Sequence, residues 1–483
     1  MNFKMLGRFI AQIVSIEALF LIPAMLISLG YGEMHTVLAF LCTVGIMLAV
    51  AGLLYWLCHG AGKLFGAREG LVCVGLSWIV MSVLGCLPFV FSGAIPSYVD
   101  ALFEMVSGFT TTGASILAEV ESLPRGILYW RSFSHWVGGM GVLVFLLALS
   151  SAGNGNGFTM HLLRAESPGP DVGKLVPKMR TTATILYVIY IVMTVIDFIL
   201  LLFGRMDWLE ALCTAFGTAG TGGFGIRNDS MASFSPYIQN VTTVFMFLFG
   251  INFSCYYLLL LGNWRSVFKD EELRFYIGLA VGIAALIAFN IRSMYGTWEE
   301  TIRHSAFQVS SLMTTTGYGT TDFNLWPTFS KALLLLLMVL GACAGSTGGG
   351  LKCARALLLF KSLRRNIRKV LNPRKVQVVR INGKVVDETV MDNVNAYLAA
   401  YVIIIICCFI VISLDGLSVE ANLSAVLSCF NNIGPGLAEV GPTSNFGCYS
   451  DLSTFLLTLA MLAGRLEIFP ILVLFSRSTW SRK

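Results

Sequence analysis

The chain has 483 residues, of which 56% are hydrophobic and only 12% charged, against roughly 25% charged in ordinary soluble domains. That balance excludes a soluble enzyme or binding module and defines a polytopic, all-α integral membrane protein. The formal net charge is +6, and the 12 cysteines show no metal-ligand or disulfide spacing; Cys407 and Cys408, for example, lie inside an apolar run, where cysteine acts as a small hydrophobe.

A membrane-crossing helix needs about 20 predominantly apolar residues. Residues 9–29 and 37–58 meet that requirement and are joined at Gly30-Tyr31-Gly32, so residues 1–60 are expected to form an N-terminal transmembrane hairpin. The first run is too long for the apolar core of a signal peptide and no cleavage pattern follows it, so it reads as a span. A different unit begins at residue 71. Span 71–92 is followed by Pro96, a half-length segment at 100–112, and a returning span at 127–151. The half-length segment cannot cross. It is expected to enter and turn back, which the membrane tolerates only where protein buries the irregular backbone or it lines a cavity.

The same unit recurs three times. Repeat 2 (182–261) reads as 182–203, 208–221 and 241–261; repeat 3 (275–360) as 275–291, 298–316 and 329–360; repeat 4 (395–476) as 396–414, 419–433 and 452–475. The expected architecture is therefore two N-terminal helices plus four helix–pore loop–helix repeats around a pore, with ten transmembrane helices.

Each half-length segment ends in a hydroxyl- or glycine-rich run: Thr110-Thr111-Thr112-Gly113, Gly220-Thr221-Gly222-Gly223, Thr314-Thr315-Thr316-Gly317 and Asn431-Asn432-Ile433-Gly434. Anchored on Gly113, Gly222, Gly317 and Gly434, the runs recur at a near-regular interval of about 100 residues, the signature of an internal repeat. Six residues before each anchor stand Ser107, Phe216, Ser311 and Ser428. Backbone that turns at a glycine exposes successive carbonyl oxygens, which suit a dehydrated cation. The helices before the loops would also direct the negative ends of their dipoles at that ion.

The charges set orientation. Basic residues cluster at Lys63 and Arg68, at Arg164, Lys174, Lys178 and Arg180, at Arg265, Lys269 and Arg274, along 361–384, and at Arg477, Arg482 and Lys483, with acidic residues on the intervening loops. By the positive-inside rule the basic set is cytosolic, a membrane flank rather than a nucleic-acid site. The loops then open toward the external side.

The last span of repeat 3 is interrupted by Gly341-Ala342-Cys343-Ala344-Gly345-Ser346-Thr347-Gly348-Gly349-Gly350. Gly costs about 1 kcal/mol per residue in a helix relative to Ala, so 341–350 is expected to unwind into a flexible loop below the filter; gating, through Gly345, Gly348, Gly349 and Gly350, is the favoured role and a passive packing kink the alternative. Leu351 separates Gly350 from Lys352 within an apolar span, which rules out a phosphate-binding Walker loop here. The cytosolic segment 361–394 carries Asn382-Gly383 between short β-prone runs, a hairpin signal. Arg465, with Glu467 two residues on, lies inside the final span, where a charge is a functional hypothesis by default. Facing the pore it would slow cation flow and hold the glycine loop; the competing expectation is an ion pair with Glu104 or Asp197. His135 and His304 have no metal or catalytic partner pattern and read as structural.

With the repeats in view, Ser107-Gly108-Phe109-Thr110-Thr111-Thr112-Gly113, the motif from Gly345 to Lys352, Asn431 to Gly436 and Gly464-Arg465-Leu466-Glu467 resemble potassium-uptake membrane subunits of the Trk/Ktr/HKT superfamily, of the TrkH/TrkG type, over nearly the whole chain. The resemblance implies a K⁺ filter formed by the carbonyls of Thr111, Thr112, Gly220, Thr221, Thr315, Thr316, Asn432 and Ile433 beside the four anchoring glycines, with K⁺ as transported ion and no organic cofactor. It also implies a homodimer in a bacterial inner membrane and a cytosolic, nucleotide-binding RCK-type regulatory subunit. Gly113 stands where a serine accompanies Na⁺ preference in this family, so K⁺ is the expected cargo; the second loop departs most from the family pattern. The rival function is an ion-coupled (H⁺ or Na⁺) secondary cation transporter. No nucleophile–base pair or metal cluster supports an enzyme.

Overall fold

The structure, a computed structural model, describes residues 2–60, 67–141 and 179–480. Lys63, Arg164, Lys174, Lys178, Arg482, Lys483 and the second half of the span expected at 127–151 lie outside them. Helices α1 (Phe3–Gly30) and α2 (Met34–Leu57) form the expected hairpin, turning at Gly32 with φ 76°. Helix α2 is apolar all round and leaves Leu38, Leu41, Leu48, Leu53 and Trp56 exposed, the pattern of a helix whose solvent is lipid.

Four units follow. The first comprises α3 (Ala67–Gly85), its continuation α4 (Leu87–Phe91), the short α5 (Tyr98–Phe109) and α6 (Arg125–Gly139). The second comprises α7 (Met179–Phe203), short α8 (Trp208–Gly220), α9 (Pro236–Phe249) and α10 (Phe253–Leu260), then a surface helix α11 (Trp264–Lys269). The third has α12 (Glu271–Ile291), short α13 (Trp298–Met313), α14 (Thr328–Leu340) and α15 (Cys353–Leu371). The hairpin strands β1 (Arg380–Ile381) and β2 (Lys384–Val385) pair antiparallel across Asn382-Gly383, each only two residues long. The fourth unit is α16 (Glu388–Ile412), short α17 (Val419–Asn431), α18 (Asp451–Arg465) and α19 (Phe469–Phe475), followed by α20 (Arg477–Trp480).

Among the described residues, six helical stretches are long and apolar enough to cross a membrane: Phe3–Gly30, Met34–Leu57, Arg68–Phe91, Ala183–Phe203, Glu271–Met294 and Glu388–Asp415. The helix that closes a unit behaves differently. The expected continuous span 241–261 is two helices bent by 90°. Gly250 packs against the Tyr276 hydroxyl, and Asn252 accepts from Ser254 N at 2.9 Å to start α10. The expected span 452–475 is likewise divided, because Glu467 and Ile468 adopt positive φ and Pro470, which has no N–H to give, begins the next helix. Continuous helix at these two places is therefore a sequence expectation that the structure corrects.

Candidate functional site

The four short helices share their chemistry at both ends. Each begins with a side-chain cap: Ser97 accepts from Asp100 N, Asp207 from Leu209 N, Thr297 from Glu300 N and Ser418 from Ala421 N. Such caps satisfy amides that the first helical turn leaves unpaired. Each first turn also carries acid, namely Asp100, Glu210, Glu299 with Glu300, and Glu420, at the positive end of the helix dipole.

The C-terminal ends match more closely still. Thr111, Thr221, Thr315 and Asn432 all sit in the left-handed region, at φ 55°, 55°, 57° and 56°. The next residue turns its amide back on the helix: Thr112 N to Ser107 O at 2.9 Å, Gly222 N to Gly217 O at 2.8 Å, Thr316 N to Ser311 O at 2.8 Å and Ile433 N to Ser428 O at 3.0 Å. This is a Schellman closure, normally made with glycine at the left-handed position. A β-branched threonine there is a backbone outlier that costs on the order of 1–3 kcal/mol, and strain of this kind gathers at functional sites.

One residue further on, Gly113, Gly223, Gly317 and Gly434 have φ 77°, 70°, 92° and 107°. The second loop thus corrects the sequence alignment. Gly223, not Gly222, is the counterpart of the other three, and the matching pair before it is Thr221 and Gly222, not Gly220 and Thr221. Six residues back stands Gly217 rather than Phe216, whose ring instead packs among Tyr129, Phe133 and Trp136. Two adjacent glycines gave the sequence two equal anchors, and backbone conformation selects the second.

The loops close on one another in a cycle. A Cβ at Gly113 would lie 1.9 Å from Gly222 O, one at Gly223 1.9 Å from Thr316 O, one at Gly317 2.2 Å from Ile433 O, and one at Gly434 3.0 Å from Thr112 O. The carbonyl before each glycine therefore abuts the Cα of the next glycine around the ring, an approach open only to a residue without a side chain. All four glycines line one cleft of about 120 Å³, together with Ser115, Arg131 and Arg227.

Side chains from α6 brace the ring. Within hydrogen-bonding distance of Gly108 O, at 2.8 Å, His135 Nδ1 donates, because Nε2 accepts from Phe224 N at 3.2 Å; the imidazole is thus neutral and ties the first loop to the second. Arg131, one turn earlier, pairs with buried Glu104 at 2.5 Å, donates to Gly225 O at 2.9 Å and to Ser115 Oγ at 3.1 Å, and covers the Phe224 ring at 3.7 Å. Sequence reading passed over Arg131. The available signal was a lone cation inside an apolar helix with an acid on the preceding half-length helix. Replacing Arg131 by alanine leaves Glu104 buried without its partner and is expected to cost about 3–5 kcal/mol. Arg131→Lys should recover only part of this, since an ammonium cannot reproduce the three-way fork; thermal melting of the purified protein measures both.

The glycine-rich break adjoins the third loop. Residues 341–352 are unwound, as expected, but the segment is not slack. Gly349 N donates to Thr315 Oγ1 at 2.7 Å, Cys343 N to Gly250 O at 3.1 Å, Phe253 N to Gly345 O at 3.0 Å, and Lys352 Nζ to Gly348 O at 2.5 Å. The unexpected order comes from unwound backbone whose polar groups are paired on several sides: Cys343 N with Gly250 O, Gly345 O with Phe253 N, and Gly349 N with the third loop. Arg465 donates to Thr347 O at 2.8 Å and to Gly138 O and Gly139 O at 2.5 and 2.9 Å. Neither carboxylate offered as its partner takes that role: Glu104 holds Arg131, and both Asp197 oxygens are buried without a hydrogen-bond partner among the described residues. Glu467 pairs instead with Arg355 of α15, whose guanidinium lies 4.2 Å from the Tyr397 ring centre. His304 hydrogen-bonds Thr320 at 2.8 Å and stacks on Tyr295. No cluster of three or more metal-ligating side chains occurs among the described residues.

Long apolar helices arranged around a cycle of backbone loops define a multi-pass membrane transport protein, built to pass a small solute rather than to transform one. Comparison with known proteins agrees: a family profile described as "TrkH: Cation transport protein" matches residues 37–482. The Trk system potassium uptake protein TrkH of Escherichia coli K12 is 34% identical over 99% of this chain and 100% of its own length, and TrkG of the same organism is 32% identical over 97% and 96%. The crystal structure of the potassium transporter TrkH from Vibrio parahaemolyticus superposes with a TM-score of 0.89, at 30% identity and complete coverage of both chains. This chain belongs to the TrkH family of cation transport proteins, a family of transporters and not of enzymes.

Proposed function

We propose that this chain is the K⁺-selective, channel-like subunit of a Trk-type potassium uptake system in a bacterial inner membrane. In this reading ten spans surround one pore, with the two N-terminal helices added to four helix–pore loop–helix repeats. The carbonyls of Thr111 and Thr112, Thr221 and Gly222, Thr315 and Thr316, and Asn432 and Ile433 replace the hydration shell of the ion. The single observation that carries the reading is the cycle of four glycines, each pressed against the carbonyl of the next loop. Four strained turns with one geometry are what a ring of fixed oxygen ligands requires, and the short helices end at that ring with the negative poles of their dipoles.

The glycine-rich break and Arg465 form the gate. The break is attached to the third loop through Thr315 and carries Arg465 on its Thr347 carbonyl, so a fixed positive charge stands beside the cation path until the break moves. The reading includes a homodimer and a cytosolic nucleotide-binding RCK-type subunit that moves the break. The direct test is uptake of radioactive Rb⁺ into proteoliposomes holding the purified protein, with Na⁺ or K⁺ as competitor. Uptake blocked by K⁺ and hardly by Na⁺ is the expected result. Equal competition by Na⁺ overturns the filter, and accumulation that requires an imposed H⁺ or Na⁺ gradient replaces the channel with coupled transport.

A further inference from the structure

Both ends of the glycine-rich break are held by one carboxylate on another helix. Glu272, in the first turn of α12, accepts from Ala344 N at 2.6 Å and from Ala354 N at 3.0 Å, both at Oε1. Ala344 precedes the run of glycines from Gly345 to Gly350, and Ala354 lies in the first turn of α15, where Lys352 supplies no side-chain cap. Glu272 is therefore a cap delivered from outside, a negative group at the positive end of a helix dipole. Because the same oxygen also binds the near side of the break, the distance between the two sides is set by a single atom.

The two residues before Glu272 are held by the cytosolic hairpin. Asn382, in the left-handed region at φ 50°, donates from Nδ2 to Asp270 Oδ2 at 2.7 Å and accepts from Glu271 N at its Oδ1 at 2.9 Å, while its own N–H donates to Glu271 Oε1 at 3.1 Å. Lys361 of α15 pairs with Glu271 and donates to Arg380 O at 2.7 Å. Three consecutive residues, Asp270, Glu271 and Glu272, thus join an exposed two-stranded hairpin to an intramembrane break. A hairpin of this size has marginal stability by itself; these polar contacts hold its tip, while Val379, Ile381 and Val386 pack beside Leu358, Met391 and Val394 at its base.

We infer that Glu272 is a positioning residue that staples the break shut, and that the hairpin at 380–385 is the handle that keeps Glu272 in place. The inference rests on the reading of the break as a gate and names the route by which a cytosolic event reaches it. Lifting the hairpin tip frees the first turn of α12, withdraws the Glu272 carboxylate from both amides and lets the break lengthen.

The test uses the full-length protein in detergent or proteoliposomes. Asn382→Gly keeps the left-handed turn and deletes only the side-chain contacts to Asp270 and Glu271. It is expected to raise hydrogen exchange at the amides of Ala344 and Ala354 about tenfold, as for loss of one ordinary hydrogen bond, to raise Rb⁺ flux without any partner protein, and to leave exchange in α1 and the melting midpoint as in wild type. Glu272→Gln is expected to raise exchange at both amides together. Unchanged exchange at both amides in Asn382→Gly overturns the handle, and a rise at only one of them in Glu272→Gln overturns the staple. Arg465→Ala separates the two readings. If it raises flux while Asn382→Gly does not, the gate stands and the linkage falls; if it leaves flux at the wild-type level, the gate reading fails and the exchange data alone decide whether the staple exists.

Discussion

A serine at Gly113 or Gly223 is expected to reduce the preference for Rb⁺ over Na⁺ by about tenfold or more, equivalent to about 1.4 kcal/mol of discrimination. Both glycines have positive φ, and at both a Cβ would fall 1.9 Å from a backbone carbonyl oxygen of the neighbouring loop. No rotamer relieves such a contact, so the neighbouring loop must retreat and carry its carbonyl with it. Rigid placement of oxygens is the property a filter depends on, and the damage should appear in selectivity before it appears in folding. The ring also predicts an order. Gly317, at 2.2 Å from Ile433 O, should be nearly as sensitive, and Gly434, at 3.0 Å from Thr112 O, the most tolerant. Rb⁺ uptake against increasing Na⁺, measured for the four serine variants, gives this order directly; a larger loss at Gly434 than at Gly223 would refute the contact mechanism.

Removal of the Arg465 guanidinium should raise Rb⁺ flux in the absence of any regulatory partner by about tenfold, the effect of lowering a barrier by about 1.4 kcal/mol. Two causes act together. The charge itself repels a cation beside the path, with a strength that grows in a low-dielectric interior. The three carbonyls that Arg465 joins, on Thr347, Gly138 and Gly139, also lose their common donor. Arg465→Lys separates these causes, since an ammonium keeps the charge but cannot span the same three acceptors. Flux near the wild-type level in Arg465→Lys assigns the barrier to charge, and flux close to that of Arg465→Ala assigns it to the carbonyl bridge. Arg465→Ala with no rise in flux removes Arg465 from the gate.

The repeat pattern was legible because its signals are local. Spans of sufficient apolar length and half-length segments at 100–112, 208–221, 298–316 and 419–433, each ending in a turn, depend on residues close in the chain, and the short helices Tyr98–Phe109, Trp208–Gly220, Trp298–Met313 and Val419–Asn431 lie at those four places. Where two local readings were equally good, sequence chose wrongly. Gly222 and Gly223 are chemically identical, and only the left-handed turn at Thr221 and the contact with Thr316 O distinguish them. The breaks at Gly250 and Glu467 were passed over for another reason: the flanking runs are apolar on both sides, and although Asn252 and Pro470 stand at the breaks, only the packing of Gly250 against Tyr276 and the positive φ of Glu467 and Ile468 decide that the helix stops there.

By itself, then, the sequence determined that the chain is a helical membrane protein with four related loops, because hydrophobic run length and the placement of glycines and hydroxyl residues act over a turn or two of helix. Tertiary structure alone decided which atoms meet: that the loops form a closed cycle, that Arg131 and not Arg465 takes Glu104, that Arg465 binds carbonyls, and that Glu272 spans the break from Ala344 to Ala354. Those contacts join residues tens to hundreds of positions apart. Their partners are chosen by the geometry of packed helices and by the high cost of leaving a buried charge or amide unpaired, neither of which is written at any one position in the chain.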